Sequence, residues 1–258
     1  MKTGYLSNIV YEKISPDYVP APNVVVKYPI SRSLYPNPEI SAKSAIAIDK
    51  KTNKVLFEKN PDEKLPPAST VKLMTALVAK DIYDENDVLT VSKNCTEIDS
   101  TKALLKEGSK FTITDLVGSM LIGSAGDSAC VIANSKVSEE DFVNKMNNKA
   151  QVLGMSSTNF SNPVGLDEVG NSQYSTTKDL YKLSKHVTSF SDLREIVGKK
   201  SFVMHPVDED GSFTITNTNK TLWDIPNSVG VKTGTTQGAG EVLIYEYKDD
   251  KSDIFIIV

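Results

Sequence analysis

Short β-rich runs stand on either side of a long helical middle, and that arrangement limits the folds open to this chain. Residues 44–49 and 54–58 flank a polar Lys50-Lys51-Thr52-Asn53 turn and read as a hairpin. From about residue 199 β-rich runs return, at 201–204, 213–216, 228–233, 241–247 and 253–258, the last three spaced as hairpin neighbours. Strands, a helical insert and strands again predict an α/β chain of the α+β type. One antiparallel sheet would be completed by both ends, with helices packed against it. A chain of 258 residues, 39% hydrophobic and 24% charged, can bury the core such a fold needs.

The middle reads as a series of capped helices. Thr114 is expected to cap a helix through residue 122, and Gly123-Ser124-Ala125-Gly126 breaks it before a second helix at 127–134. Ser138-Glu139-Glu140-Asp141 resembles a capping box, opening a helix that carries Phe142, Val143, Met146, Ala150 and Leu153 and ends at Gly154. Asn162-Pro163-Val164-Gly165-Leu166 reads as a loop, and residues 176–190 as one amphipathic helix with Leu180, Leu183 and Val187 on a face. Residues 1–38 differ from the rest: they hold six of the twelve prolines, interleaved with tyrosines, and read as an extended arm or stem. Val24-Val25-Val26 could add an edge strand there, and Lys2-Thr3-Gly4 is set aside as chance. The catalytic domain is therefore expected at 39–258, and its last strand stops without a polar tail, as a truncated domain would.

Several kinds of chemistry drop out. A net charge of −4 without a dense basic run gives no argument for nucleic-acid binding. His186, His205, Cys95 and Cys130 form no metal-ligand pattern, and no cofactor motif stands out. The two cysteines make no disulfide framework, and Cys130, in an apolar helical run, is expected as a buried structural thiol. No stretch is apolar enough to span a membrane, and the N-terminus lacks a signal-peptide core, so composition leaves the compartment open.

One stretch does carry chemistry: Leu65-Pro66-Pro67-Ala68-Ser69-Thr70-Val71-Lys72 and the apolar run after it. Prolines break the chain, and a hydroxyl residue then suits a helix mouth by satisfying free amides. Residues three apart share a helix face, so Ser69 and Lys72 would meet. A lysine amine activates a serine only when neutral, which requires burial or a second nearby cation. The spacing alone is a weak signal, because Ser175 and Lys178 repeat it. Lys232-Thr233-Gly234 adds weight. On a strand, alternation turns Lys232 and Gly234 one way and Thr233 the other, so Lys232 can supply that cation, and Gly234 lets a ligand approach the backbone. The glycine-rich run that follows is no phosphate loop, since its lysine precedes the glycines and a strand follows. Ser124, in the helix break, could project its hydroxyl into a cleft or simply satisfy a helix end.

Ser-x-x-Lys, a central serine and Lys-Thr-Gly in this order resemble the penicillin-recognising serine acyl-enzymes, and most closely the low-molecular-weight D-alanyl-D-alanine carboxypeptidases. The resemblance runs from about residue 40 onward. It includes Ile48-Asp49, Leu153-Gly154-Met155, Asn162-Pro163-x-Gly165-Leu166, Tyr174-Ser175-Thr176, Asn219-Lys220 and Gly230-Val231-Lys232-Thr233-Gly234. It implies a β-lactamase/transpeptidase-like fold and a peptidoglycan stem peptide ending in D-Ala-D-Ala as substrate. It also implies β-lactams as inhibitors and an extracytoplasmic bacterial location, often with membrane association through an additional segment. Residue by residue, it implies Ser69 as nucleophile, Lys72 as base and Ser124 as proton carrier. Lys232 and Thr233 would bind the substrate carboxylate, and the amides of Ser69 and Thr235 would form the oxyanion hole beside Gly234. One departure stands out: the family usually carries Asn two residues after the central serine, where its amide contacts substrate and helps orient the lysine, and this chain has Gly126. Two rivals follow. A class A β-lactamase would need a glutamate to activate the deacylating water, and Asp167 and Glu168 lie in roughly the right interval; a catalytically weak peptidoglycan-binding module would fit the loss at Gly126.

Overall fold

The computed structural model describes residues 36–167 and 173–258. The proline-rich arm, apart from residues 36–38, lies outside the described residues, as do Val24-Val25-Val26, Lys2-Thr3-Gly4 and Glu168. Strands β1 (Ala45–Asp49) and β2 (Lys54–Lys59) form the expected hairpin. Asp49 closes its turn by accepting from the Thr52 amide and hydroxyl, each at 2.7 Å. A 3-10 turn at Ala68–Val71 leads into α1 (Lys72–Ile82), which is followed by β3 (Val88–Thr90), the short α2 (Lys93–Thr96) and β4 (Lys110–Thr112). The helical middle continues with α3 (Ile113–Ile122), α4 (Gly126–Asn134), α5 (Glu139–Val152), α6 (Thr177–Val187) and α7 (Ser191–Gly198). The chain then runs through β5 (Ser201–Met204), β6 (Phe213–Thr216), α8 (Thr221–Asp224), β7 (Ser228–Thr236), β8 (Gly240–Lys248) and β9 (Asp253–Ile257).

The main sheet has the order β2-β1-β9-β8-β7, every described pairing antiparallel. The last strand pairs with the first, Ile48 opposite Phe255, so both ends of the described chain do complete one sheet. Strands β5 and β6 pair only with each other, as do β3 and β4. Helix α1 is buried from Lys72 to Ala79, with Leu73, Met74, Leu77 and Val78 at no more than 1% exposure; only Lys80 and Asp81 at its far end are exposed, and it packs against α3, α4, α5 and α6. A helix buried on every side over two turns belongs at the centre of a domain, so the end of α1 that follows Ser69 is anchored by the core itself.

Four local expectations are corrected. Thr112, not Thr114, caps α3, because it alone sits in extended backbone where its hydroxyl accepts from the Asp115 amide. The helix expected at 176–190 ends at Val187, and a second helix, α7, begins at Ser191 with Phe190 between them in extended backbone. Ser69 caps nothing: the 3-10 turn has no side-chain cap bond, which leaves that hydroxyl for other work. Finally, Cys130 is not a free thiol but is joined to Cys95 in a disulfide between α4 and α2. Both cysteines are buried in the apolar core, where a thiol and a half-cystine leave the same trace in sequence. Ser138, by contrast, caps α5 as expected, and Gly154 follows that helix with φ +71°.

Candidate active site

The turn that carries Ser69 is held from two sides by backbone that approaches too closely for a side chain. Gly165, at φ +89°, lies so near that an added Cβ would stand 2.1 Å from the Ala68 carbonyl oxygen. On the other side, a Cβ on Gly234 would meet the Ser69 amide nitrogen at 2.9 Å. Strand β7 therefore passes directly along the turn that carries Ser69. Ala68 itself adopts φ +47°, an uncommon conformation for a residue with a side chain and one that this packing enforces.

Lys72 lies one turn after Ser69 and donates from Nζ to Ser69 Oγ at 2.7 Å and to the Val164 carbonyl at 2.6 Å. The Val164 carbonyl is aimed by Asn162, whose Oδ1 accepts from the amides of Val164, Gly165 and Leu166 at 3.1, 2.7 and 3.2 Å. Thr75 on α1 adds a bond to the Pro163 carbonyl at 2.6 Å. The Asn-Pro-x-Gly-Leu loop is thus a bracket for the lysine. Lys72 is fully buried, and burial drives its pKa well below the ordinary lysine value; the charge of Lys232 lowers it further, and Asp127 partly opposes both. A buried amine beside a hydroxyl is the arrangement that removes a serine proton.

The second serine–lysine pair stands across the cleft. Ser124, in the break between α3 and α4, holds φ +59°, and the carbonyl of Ser119 accepts from both Gly123 and Ala125 to shape the break. Lys232 donates from Nζ to Ser124 Oγ and to the Thr233 carbonyl, each at 2.9 Å. Burial alone pulls the Lys232 pKa down to about 7. The alternation expected along β7 holds: Lys232 and Gly234 are buried and Thr233 is half-buried. Thr233 Oγ1 lies 2.5 Å from Thr218 Oγ1, a partner the sequence did not suggest. Ser69, Thr101, Ser124, Thr218, Thr233 and Thr235 line one cleft. Of the expected residues, Ser69, Ser124, Thr233, Gly234 and Thr235 line this cleft, Lys72 and Lys232 bond to its two serines, and Gly126 opens α4 two residues beyond Ser124.

Residues outside the expected set complete the wall. Asp127, fully buried, accepts from the amides of Ala103 and Leu105 at 3.0 and 3.2 Å, and the Gly126 amide donates to the Thr101 carbonyl at 2.7 Å. No local signal marks residues 98–105 as part of a site; long-range contacts put them there. The Asp167 carboxylate accepts from Thr236 Oγ1 at 3.0 Å and from the Gly238 amide at 2.7 Å, tying the loop to the β7–β8 turn. The second Ser-x-x-Lys spacing is structural. Ser175 bridges to Leu65 in the backbone, and Lys178 pairs with Asp62 at 2.7 Å. Among the described residues no cluster of His, Cys, Asp and Glu could hold a metal ion, and no helix is long and apolar enough to cross a membrane.

Comparison with known proteins gives a consistent picture. Residues 32–258 match the family described as D-alanyl-D-alanine carboxypeptidase. The D-alanyl-D-alanine carboxypeptidase DacF of Bacillus subtilis is 33% identical over 201 residues, an alignment covering 76% of this chain and 51% of that protein. DacC of Escherichia coli, of the same description, is 34% identical over 223 residues, covering 80% of this chain and 53% of that one. The chain spans about half the length of these curated relatives. A crystal structure of a D-alanyl-D-alanine carboxypeptidase from Mycobacterium tuberculosis superposes with a TM-score of 0.83 at 28% identity, covering 88% of this chain and 85% of that one. The expected penicillin-binding fold is the fold observed.

Proposed function

This chain belongs to the D-alanyl-D-alanine carboxypeptidase family, and on that premise we propose that it is a serine carboxypeptidase removing the terminal D-alanine from peptidoglycan stem peptides. The observation that carries the reading is the bond between Ser69 Oγ and a buried, pKa-depressed Lys72. Lys72 takes the Ser69 proton as Oγ bonds to the carbonyl carbon of the penultimate D-alanine. The amides of Ser69 and Thr235 receive the developing oxyanion. As the carbon–nitrogen bond breaks, Ser124 relays to the leaving amine the proton that Lys72 took from Ser69, and Lys232 holds the hydroxyl that does so. Lys232 and Thr233 face the carboxylate of the departing D-alanine. Water then releases the acyl group, and no cofactor enters the cycle.

A β-lactam would acylate the same serine and leave slowly. The Asp167 carboxylate is occupied by the β7–β8 turn, which argues against its use as a deacylating base of the β-lactamase kind. The substrate class places the enzyme outside the cytoplasmic membrane, and a Cys95–Cys130 disulfide fits an oxidising compartment. The test is the intact mass of the protein after incubation with a penicillin, alongside Ser69→Ala, followed by release of D-alanine from a pentapeptide. A lasting adduct on the unmutated protein alone, with D-alanine released, is the expected result. Rapid turnover of the drug would instead favour a β-lactamase, and an unmodified protein that leaves the drug intact would favour a peptidoglycan-binding module.

A further inference from the structure

The glycine at position 126 does not leave a gap. A Cβ built on Gly126 would stand 2.5 Å from Ser100 Oγ, 2.6 Å from Ser100 Cβ and 3.0 Å from Val164 Cγ1. The space into which any side chain at 126 would project is already filled by Ser100. Ser100 arrives there on a segment held firmly at both ends and in the middle. The Cys95–Cys130 disulfide fixes the segment before it, the Gly126 amide bonds to the Thr101 carbonyl at 2.7 Å, and the Asp127 carboxylate takes the amides of Ala103 and Leu105. The location matters because Val164, the other neighbour of that space, offers the carbonyl that holds Lys72, and Thr101 next to Ser100 lines the cleft. Ser100 is half-buried, and its hydroxyl makes no hydrogen bond to another described residue. A hydroxyl packed into an active-site wall with its hydrogen-bonding capacity unspent is available to a ligand.

We propose that Ser100 is a substrate-contacting residue of this site, supplying from residues 98–105 the polar group that position 126 does not. The proposal rests on the carboxypeptidase reading, and the chemistry it implies is one hydrogen bond between Ser100 Oγ and the backbone of the acyl-side peptide. Segment and glycine then form one unit: Gly126 is small because Ser100 is present.

The experiment compares Ser100→Ala, Ser100→Thr, Gly126→Asn and the double variant Ser100→Gly with Gly126→Asn. Second-order acylation by a penicillin is measured together with thermal unfolding. Ser100→Ala is expected to unfold with the unmutated protein while acylating roughly 5- to 20-fold more slowly, the worth of one hydrogen bond, and Ser100→Thr to recover much of the rate. Gly126→Asn alone is expected to lower both stability and acylation through its collision with Ser100, and the double variant to regain both. Ser100→Ala acylating at the unmutated rate would overturn the proposal, as would Gly126→Asn tolerated without loss. The same contact is read without chemistry by calorimetric binding of an acyl-D-Ala-D-Ala peptide to Ser69→Ala protein, with and without Ser100→Ala. If the unmutated protein fails to acylate, the carboxypeptidase reading falls, yet a 5- to 20-fold weaker binding in the calorimeter would still support Ser100 as a contact, and equal binding would refute it.

Discussion

Removing the Cys95–Cys130 bond is the perturbation whose cost can be worked most directly. The two cysteines lie 35 residues apart in sequence, and the loop they close carries β4, α3 and the Ser124 turn. In the chain-entropy account, cross-linking a loop of that length removes roughly 4 kcal/mol of freedom from the unfolded chain. Cys→Ala removes only one sulfur atom from each side chain, so a Cys95→Ala, Cys130→Ala double variant loses little apolar contact beyond the bond itself. For a chain of this size each kcal/mol moves the unfolding midpoint by roughly 2–4 °C. The double variant is therefore expected to melt roughly 8–16 °C below the unmutated protein, and a reductant should bring the unmutated protein down to match it.

Two measurements check this. Thiol titration of the denatured, unreduced protein should find no reactive thiol, and thermal scans with and without a phosphine reductant should give the shift. Acylation below the melting range should change much less than stability, because the Asp127 and Gly126 bonds still hold residues 101–105 in place. Two titratable thiols in protein recovered from an oxidising compartment would refute the bond. An unchanged midpoint after full reduction would refute the entropic reasoning while leaving the bond intact.

Three further outcomes are expected. Lys232 is buried with its pKa drawn down to about 7, so between that pH and the ordinary lysine range the unfolded chain binds more protons than the folded one, and stability rises with pH. Lys232→Met should therefore lose acylation yet melt above the unmutated protein, with the advantage largest below about pH 7 and fading toward pH 10; parallel melting curves across pH check it. Gly165→Ala would drive a Cβ into the Ala68 carbonyl and displace Ser69, so acylation should fall roughly 100-fold, measured against a penicillin. Glu246, buried and bonded to Lys50 at 2.9 Å and Arg194 at 3.2 Å, leaves two cations facing each other when removed; Glu246→Ala should cost about 3 kcal/mol in a denaturant titration, and Glu246→Gln less.

The parts of this fold legible in sequence were those written in short range. Strand alternation placed Lys232 and Gly234 on the buried side of β7, and hairpin spacing joined the last strands in order. Ser138 announced its helix, because capping chemistry is complete within four residues. What was not legible was decided by partners far along the chain. Thr112 and Thr114 both stand where a cap could be, and only the β3–β4 pairing, which makes residue 112 extended, selects between them. Cys95 and Cys130 carry no mark of each other, and Asn162 gives no local sign that its side chain gathers three amides to aim a carbonyl at Lys72. Ser100 reads as an ordinary loop serine until Gly126 is set beside it. A glycine in a motif reads as a deletion along the chain and as a fitted surface in three dimensions.

The two Ser-x-x-Lys spacings show why the site needed more than its motif. Ser69 and Lys72 stand three residues apart in sequence, as do Ser175 and Lys178, and spacing cannot separate them. Their electrostatics can. Lys178 is solvent-exposed, and its bond to Asp62 raises its pKa, fixing the proton on the amine. Lys72 has no carboxylate bonded to it among the described residues; burial and the charge of Lys232 both push its proton off. Lys232 in turn is buried enough to be near half-charged at neutral pH. Two buried amines that repel each other's protons titrate as a pair, so one can hold charge for an anionic substrate while the other stays neutral as a base. Replacing Lys232 would remove both the charge that lowers the Lys72 pKa and the bond to Ser124, and that is why Lys-Thr-Gly, 160 residues downstream, bears on what Ser-x-x-Lys means here.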